Sequence, residues 1–328
     1  MSSAPASILV LRLSAFGDIL HTLPAVASLR ASFPPSTRLG WVVERPFRDL
    51  VELVAPVDNL FVASTKRWRK AGGRGAAWSE ISQLRRQLRR FSRGEVAIDF
   101  QGLVKSSILA SASGAADRFG FDARSVREKL SLLFTNRRVA VDRAAHVVDW
   151  NLQLAAAAGG SAPPPALDFS RFEIDPGGQL APVLEAPVIV INPGAGHPSK
   201  RWPPARFAEV ARASRTFGLE PLVIWGPGEE ELAGEIVRES GAILAPETSL
   251  RQLAFILKRA RLVVAADTGP LHLAAALGTP VIGLFGPTDP RRNGPYGQLD
   301  HCVQSFTAGR SMEEITASSV LNMVREII

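Results

Sequence analysis

A chain of 328 residues, 46% apolar and 21% charged, has room for two cores at roughly 100–200 residues per domain, and this composition excludes a disordered or collagen-like polymer. Its single cysteine, Cys302, excludes a disulfide framework and a cysteine-ligated zinc site, and fits a reducing compartment. The formal net charge of +7 is uneven: residues 1–165 carry 23 Lys/Arg and 13 Asp/Glu, and residues 166–328 carry 15 and 18.

The start, Met1-Ser-Ser-Ala-Pro5, has no basic stretch before the apolar run Ile8–Leu11, which Arg12 ends, so no secretory signal is expected. No uncharged apolar stretch reaches the roughly 18 residues of a membrane span. The first strand is predicted over Ile8–Leu13. It runs into Ser14-Ala-Phe-Gly-Asp-Ile-Leu-His-Thr-Leu-Pro24, ahead of a helix over Ile19–Phe33. Gly17 lets the backbone turn tightly and Asp18 heads the helix. Ligands of doubly wound folds bind beyond the carboxyl ends of strands, which makes Asp18 a candidate general base. The alternative is a simple helix cap. His21, one turn on, reads as a packing or supporting residue.

Further strands are predicted over Leu39–Val43, Asn59–Ala63, Val96–Phe100 and Arg138–Val141, with a helix over Trp78–Phe91. Between Lys66 and Arg93 ten basic residues face one acid, Glu80. A field of one sign attracts nucleic acid, anionic lipid or a phosphorylated substrate. The alternative is a solvated helix face, above all for Arg85, Arg86, Arg89 and Arg90. No RNA or DNA motif is recognised and the single Tyr offers no stacking platform, so nucleic acid is not an expected partner.

The Gly159-Gly-Ser-Ala-Pro-Pro-Pro165 stretch, with Asp175-Pro-Gly-Gly178 and Ala181-Pro182, reads as a linker and sets a boundary near 165–185. Beyond it, strands are predicted over Val188–Ile191, Pro221–Trp225, Ala242–Leu244, Leu262–Ala265 and Val281–Phe285. Helices are predicted over Pro204–Phe217, Glu229–Ser240 and Leu250–Lys258. The end, Met312–Ile328, reads as an amphipathic helix with Met312, Ile315, Val320, Met323, Val324 and Ile327 on its apolar side. Strand–helix alternation in both halves argues for parallel sheets covered on both faces.

Two loops of this half are candidates for chemistry, the alternatives being a loop with no ligand for the first and a satisfied polar turn for the second. In Asn192-Pro-Gly-Ala-Gly196, followed by Ser199-Lys-Arg-Trp-Pro203, Gly194 and Gly196 allow backbone N–H groups to approach an anion and Lys200 adds a point charge. The spacing is neither that of a P-loop nor that of a dinucleotide fingerprint. In Ala266-Asp-Thr-Gly-Pro-Leu-His272, Asp267 and Thr268 end a strand and Gly269-Pro270 open a helix whose first N–H groups suit a diphosphate. His272 sits in its first turn. Glu229, after Ile224-Trp-Gly-Pro-Gly228, suits ribose hydroxyls, and equally a charged first helical turn.

The stretches Gly17-Asp-Ile-Leu-His-Thr-Leu-Pro-Ala25, Asn192–Gly196 with Lys200–Pro203, and Asp267-Thr-Gly-Pro-Leu-His272 with Gly286-Pro-Thr-Asp-Pro290 stand in one order. On them the chain resembles the heptosyltransferase family of bacterial lipopolysaccharide core biosynthesis, inverting glycosyltransferases of family nine, over nearly its whole length. Trp41–Glu44, Arg67–Ala71, Ile98–Ser106 and Arg127-Glu128 leading to Leu133–Arg137 are most similar to the type I enzymes. A type II enzyme, or a relative with another acceptor or sugar nucleotide, is the alternative.

The resemblance implies a GT-B fold, two Rossmann-like doubly wound parallel-sheet domains facing across a cleft: residues 1–170 for the acceptor and 171–328 for the nucleotide sugar, with the last helix, 312–328, returning to the first domain. It implies transfer of L-glycero-D-manno-heptose from ADP-heptose to the Kdo of Kdo₂-lipid A, with Asp18 as general base and Lys200 stabilising the departing ADP. It places donor contacts at Asn192, Gly194, Ala195, Gly196, Lys200, Glu229, Thr248, Asp267, Thr268, Gly269 and His272. Acceptor contacts fall at Ser14, Gly17, His21, Lys66, Arg67, Arg69, Lys70, Gln101, Lys105 and Arg127. Relatives carry His-Ala-Thr-Thr where this chain has Asn192-Pro-Gly-Ala195; the resemblance implies phosphate contacts at this position, and whether the glycine turn makes them through backbone amides in place of Thr hydroxyls stays open. No Asp-x-Asp motif is present, so neither metal nor cofactor is expected. The expected protein is a cytoplasmic monomer, held peripherally at the inner face of the inner membrane.

Overall fold

The computed structural model describes residues 4–72, 75–169, 183–305 and 309–328. Arg74 of the basic segment, and the Asp175–Gly178 and Ala181-Pro182 parts of the linker, lie outside them. The chain divides into two compact units, Met1–Asp168 and Phe169–Ile328.

The first unit is built on six parallel strands: β1 (Ser7–Leu11), β2 (Arg38–Glu44), β3 (Asn59–Ala63), β4 (Val96–Asp99), β5 (Asp117–Phe121) and β6 (Arg137–Val139). Their order is β3-β2-β1-β4-β5-β6, with Val10 of β1 opposite Trp41 on one side and Ile98 on the other. All five residues of β1 are buried, which is why its sequence is apolar after Ser7 rather than alternating. Trp41 is fully buried and its indole N–H donates to the carbonyl of Arg12 at 3.0 Å, tying β2 to the end of β1.

The single helix expected over Ile19–Phe33 is two helices, Phe16–Leu20 and Leu23–Ser32. Pro24 has no N–H to continue the ladder, and its ring excludes the preceding turn's carbonyl. The Thr22 hydroxyl instead donates to the Asp18 carbonyl at 2.8 Å. The helix Ala76–Ser92 buries Ala77, Leu84, Leu88 and Phe91 and turns Arg85, Arg86, Arg89 and Arg90 to solvent. Those four arginines are the solvated face of an amphipathic helix.

The second unit repeats the plan with β7 (Val188–Asn192), β8 (Glu220–Val223), β9 (Ile243–Leu244), β10 (Leu262–Ala266), β11 (Val281–Phe285) and β12 (Cys302–Gln304). The order β12-β11-β10-β7-β8-β9 is the first sheet's order over again, and every pair is parallel. In both sheets the strand order reverses beside the first strand, between β1 and β4 and between β7 and β10. The loops at the carboxyl ends of those strands diverge there and leave a crevice.

The last segment packs within the second unit. Residues Met312–Glu314 form a 3₁₀ turn and Ala317–Ile327 a helix, whose N-terminus Thr316 caps by accepting from the Ser319 amide at 3.1 Å. Met312, Ile315, Ala317, Val320 and Val324 belong to the core of the second unit, with Phe207 and Val210 of the helix Pro204–Ser214. Five apolar side chains have found their partners there, each worth roughly 1–3 kcal/mol.

Candidate functional site

At the switch point of the first sheet, Asp18 is held from two sides. Its Oδ1 pairs with the Arg12 guanidinium at 2.8 Å and its Oδ2 accepts from the Ala15 amide at 3.2 Å. The second contact is a helix-capping one, so the cap and the candidate base are the same carboxylate. Arg12 is buried, also donates to the Phe100 carbonyl, and supplies a charge that sequence reasoning took only as the end of an apolar run. The Asp18 side chain stays 34% exposed, and two contacts leave part of its acceptor capacity open.

Gln101 straps the two switch-point loops together. Its Oε1 accepts from the Leu13 amide at 2.7 Å and its Nε2 donates to the Ser14 hydroxyl at 3.2 Å. Asp99 shapes the turn beneath it, accepting from Ser106 Oγ at 3.0 Å and from the amides of Gln101 at 3.0 Å and Gly102 at 3.2 Å. Burial nonetheless pushes the Asp99 carboxyl up to about 6. A group that binds its proton more tightly folded than unfolded withdraws stability as pH rises. Stability should therefore fall between about pH 4 and pH 6, by roughly 3 kcal/mol at most, and level off above. Urea unfolding checks this: Asp99→Asn should remove the slope, and a variant that keeps the wild-type slope would contradict it.

The other acceptor candidates follow the same strand ends. Lys66, Arg67, Arg69 and Lys70 are exposed on the helix Thr65–Lys70 after β3, anchored by buried Trp68, whose indole donates to Glu80 at 2.9 Å. Arg67 is paired with Glu80. Lys105 lies in the first turn of the helix Val104–Ala112, and Arg127 is exposed in the loop after β5. Glu128 draws that loop to the β4 turn: its carboxylate accepts from the Val104 amide at 2.7 Å and its own amide donates to the Gly102 carbonyl at 3.1 Å. Gly17 and Ser14 are partly exposed beside Asp18. His21 departs from the set. It is buried, edge-on to His146 with ring centroids 5.3 Å apart, and so belongs to the packing.

At the switch point of the second sheet, Asp267 is the hub. Its side chain is 7% exposed; Oδ2 pairs with Lys200 Nζ at 2.6 Å and Oδ1 faces His272 Nε2 at 3.1 Å. Asn293 Nδ2 also donates to Oδ2 at 3.4 Å, a partner the sequence did not reveal. Burial alone would push this carboxyl up, but hydrogen bonds and charge from His272 and Lys200 outweigh it and hold Asp267 well below the usual carboxylate range. Lys200 itself keeps 28% of its side chain exposed, so its ammonium is fixed yet reachable. Trp202, two residues on, is buried against Phe207 and donates its indole N–H to the Ile315 carbonyl at 2.9 Å.

Beside this hub lies a cavity of about 170 Å³, lined by Asn192, Gly194, Ala195, Gly196, Glu229 and Thr268 on its polar side and by Ile224, Trp225, Leu253 and Pro270 on its apolar side. Asn192 Nδ2 donates to the Thr268 hydroxyl at 3.1 Å. No side chain caps the helix Gly269–Ala276, so its first N–H groups remain available to an anion. Thr248, in the turn before the helix Leu250–Arg259, is not among the lining residues. A larger cavity, about 460 Å³, is lined by Cys302, Gln304, Glu314 and Thr316 among others and includes none of the candidate residues. Burial, with the nearby charges of Asp300 and Asp267, pushes the Cys302 thiol up to about 12, which leaves it unreactive.

Gly194 leaves room for the Glu229 carboxylate. A Cβ there would stand 2.0 Å from Glu229 Oε2, and that oxygen accepts from the Gly226 amide at 3.0 Å. Gly194→Ala should displace Glu229 and, on the donor contact that the resemblance implies for Glu229, lower ADP affinity by about tenfold or more, the loss of one charge-assisted hydrogen bond. Calorimetric titration checks this, and wild-type affinity would show that Glu229 does not touch the nucleoside.

A family described as glycosyltransferase family 9 (heptosyltransferase) matches residues 81–322. Lipopolysaccharide heptosyltransferase 1 of Escherichia coli is 30% identical over 328 residues, 97% of this chain and 97% of its own. Its namesake in Pseudomonas aeruginosa is 33% identical over 300 residues, 89% of this chain and 81% of its own. The solved structure of Escherichia coli heptosyltransferase WaaC with ADP has a TM-score of 0.84 at 30% identity and covers 98% of this chain and 100% of that one. The two doubly wound units are thus of the GT-B type. A family match over residues 81–322 and a relative 30% identical over nearly the whole chain make it a member of glycosyltransferase family 9, the heptosyltransferases.

Proposed function

We propose that this glycosyltransferase moves L-glycero-D-manno-heptose from ADP-heptose onto the Kdo of Kdo₂-lipid A, the type I reaction of lipopolysaccharide inner-core synthesis. The observation that carries this reading is the division of labour between the switch points: a held, partly open carboxylate in one unit and a fixed, reachable ammonium beside uncapped amides in the other. Inversion needs one in-line displacement. The acceptor oxygen forms its bond to the anomeric carbon as the bond from that carbon to the diphosphate breaks. Asp18 takes the acceptor's proton, without which the hydroxyl is a poor nucleophile. The electron pair leaves with ADP, whose growing charge meets Lys200 and the Gly269–Ala276 amides.

Asp267 does not suit direct contact with a diphosphate. It is itself an anion, and both its oxygens are taken up by Lys200, His272 and Asn293. Its part is to hold Lys200 and His272 in place. Glu229 and the Trp225–Leu253–Pro270 wall suit ribose and adenine respectively. Incubation with ADP-heptose and Kdo₂-lipid A should release ADP and yield a product heavier by one heptosyl unit. A product formed only from acceptor that already carries one heptose would indicate the type II reaction instead.

Lipid A is anionic, and the exposed cations of the Lys66–Lys70 helix fit such an acceptor at a membrane surface, where each contributes about 1 kcal/mol. Among the described residues no helix is long and apolar enough to cross a membrane, and the reading is of a monomer held peripherally at the cytoplasmic face. Arg67 is already paired with Glu80, so Arg69 and Lys70 are the informative positions. Arg69→Glu with Lys70→Glu should raise the acceptor KM several-fold and leave ADP affinity unchanged. An unchanged KM at physiological ionic strength would mark the helix as a solvated face.

A further inference from the structure

In the first unit three aliphatic side chains stand exposed together on two packed elements. The 3₁₀ turn Lys129–Leu133, which follows the β5 loop, packs on the helix Val104–Ala112. Leu130 and Leu133 are 67% and 76% exposed, and Ile108 of the helix is 44% exposed. At three residues per turn, Leu130 and Leu133 lie on one face. Single surface leucines are ordinary. A pair on one face of one turn is an apolar tip, and Ile108 is exposed on the helix that this turn packs on.

The tip is held out by a fastened backbone. Ser131 is buried and its amide donates to the Glu128 carbonyl at 2.9 Å, while the Phe134 amide donates to the Ser131 carbonyl at 3.0 Å. The Arg138 guanidinium donates to the Leu132 carbonyl at 3.1 Å and that of Arg118 to the Phe134 carbonyl at 2.8 Å. Around the tip, residues 124–138 carry Arg124, Arg127, Lys129, Arg137 and Arg138, all exposed, against one acid, Glu128, whose carboxylate is engaged by the Val104 amide. Arg137 is paired with Asp117 at 2.7 Å, which leaves four cations for a partner.

Exposed apolar side chains flanked along the chain by exposed cations match a surface that is anionic outside and apolar within. An anionic bilayer has that layering. We propose that Lys129–Leu133 is a membrane-insertion turn: Leu130 and Leu133 enter the acyl boundary while Arg124, Arg127, Lys129 and Arg138 bind lipid phosphates. The inference rests on the reading of a membrane-borne acceptor and goes beyond it, since the Lys66–Lys70 helix alone provides only salt-sensitive adsorption. Insertion would set the carboxyl-end edge of the first sheet, with Arg127 and Lys105, against the headgroups.

The test is co-sedimentation of the full chain with vesicles of phosphatidylglycerol and phosphatidylcholine, at about 0.15 M and about 1 M salt, where screening lengths are about 8 Å and 3 Å. The wild type should keep part of its binding at the higher salt. Leu130→Ser with Leu133→Ser, both surface changes, should leave the melting temperature unchanged, weaken binding on the order of tenfold at the lower salt and abolish it at the higher. Arg69→Glu with Lys70→Glu should retain the salt-resistant part. If the serine variant binds as the wild type does while the glutamate variant does not, the insertion turn is wrong and the basic-helix reading stands. If the wild type binds at neither salt, both fall. If the serine substitutions instead abolish a concentration-dependent dimer, the tip is a protein contact and the proposal is overturned.

Discussion

Replacing Asp18 with Asn should lower turnover by roughly 10²–10⁴-fold, the usual range for loss of a general base. Asn keeps an oxygen for the Ala15 amide but leaves the buried Arg12 without its charge partner. Loss of one member of a partly buried pair destabilises, so the melting temperature should also fall. A destabilised but folded enzyme would still bind ADP, because the donor cluster lies on the other unit's sheet. The decisive measurement pairs turnover with ADP titration on the same sample. Near-wild-type turnover would remove Asp18 from the chemistry and leave it as a cap.

Lys200→Ala should cost about 10²–10³-fold in kcat/KM, comparable to removing one preorganised donor from a site of developing charge. Unlike Asp18→Asn, it should weaken ADP binding as well, since in the proposed mechanism the ammonium meets the diphosphate before and during departure. Asp267 would keep His272 and Asn293, so the second unit should fold. The two variants together separate the units: one is silent in ADP titration and the other is not. If Lys200→Ala binds ADP as the wild type does, the ammonium serves Asp267 only.

Long apolar strands were legible in the residues. β1, β7, β10 and β11 are buried over their full length and read as apolar runs apart from Ser7, Asn192 and Gly283. β5, Asp-Arg-Phe-Gly-Phe, was not, because half-buried charged and glycine positions interrupt its pattern. β12 is three half-buried residues at a sheet edge, too short for any period to register. The loops that carry motifs were legible as loops, and the structure gathers their residues at the two switch points. What the spacing could not reveal was contact. Arg12 meets Asp18 from six residues away through a turn, and Asn293 reaches Asp267 from 26 residues away through a strand and a loop. Buried cations at strand ends are the signal that would have flagged Arg12, since such a charge requires a partner. His21 had the right spacing for the acceptor side but the fold turned it inward, onto a second histidine that lies 125 residues on.

The Trp202 indole has a reach that its place in the chain conceals. It joins the lysine-bearing turn to the Ile315 carbonyl, and Arg206 donates to the Glu313 and Ile315 carbonyls from one turn further on. The C-terminal helix Ala317–Ile327 begins immediately after these acceptors. Contiguous elements tend to open as one cooperative unit. Fraying of the last helix would therefore loosen the lysine's turn before the sheet is disturbed. Amide exchange rates at Ser199 and Lys200 would then follow those of the terminal helix.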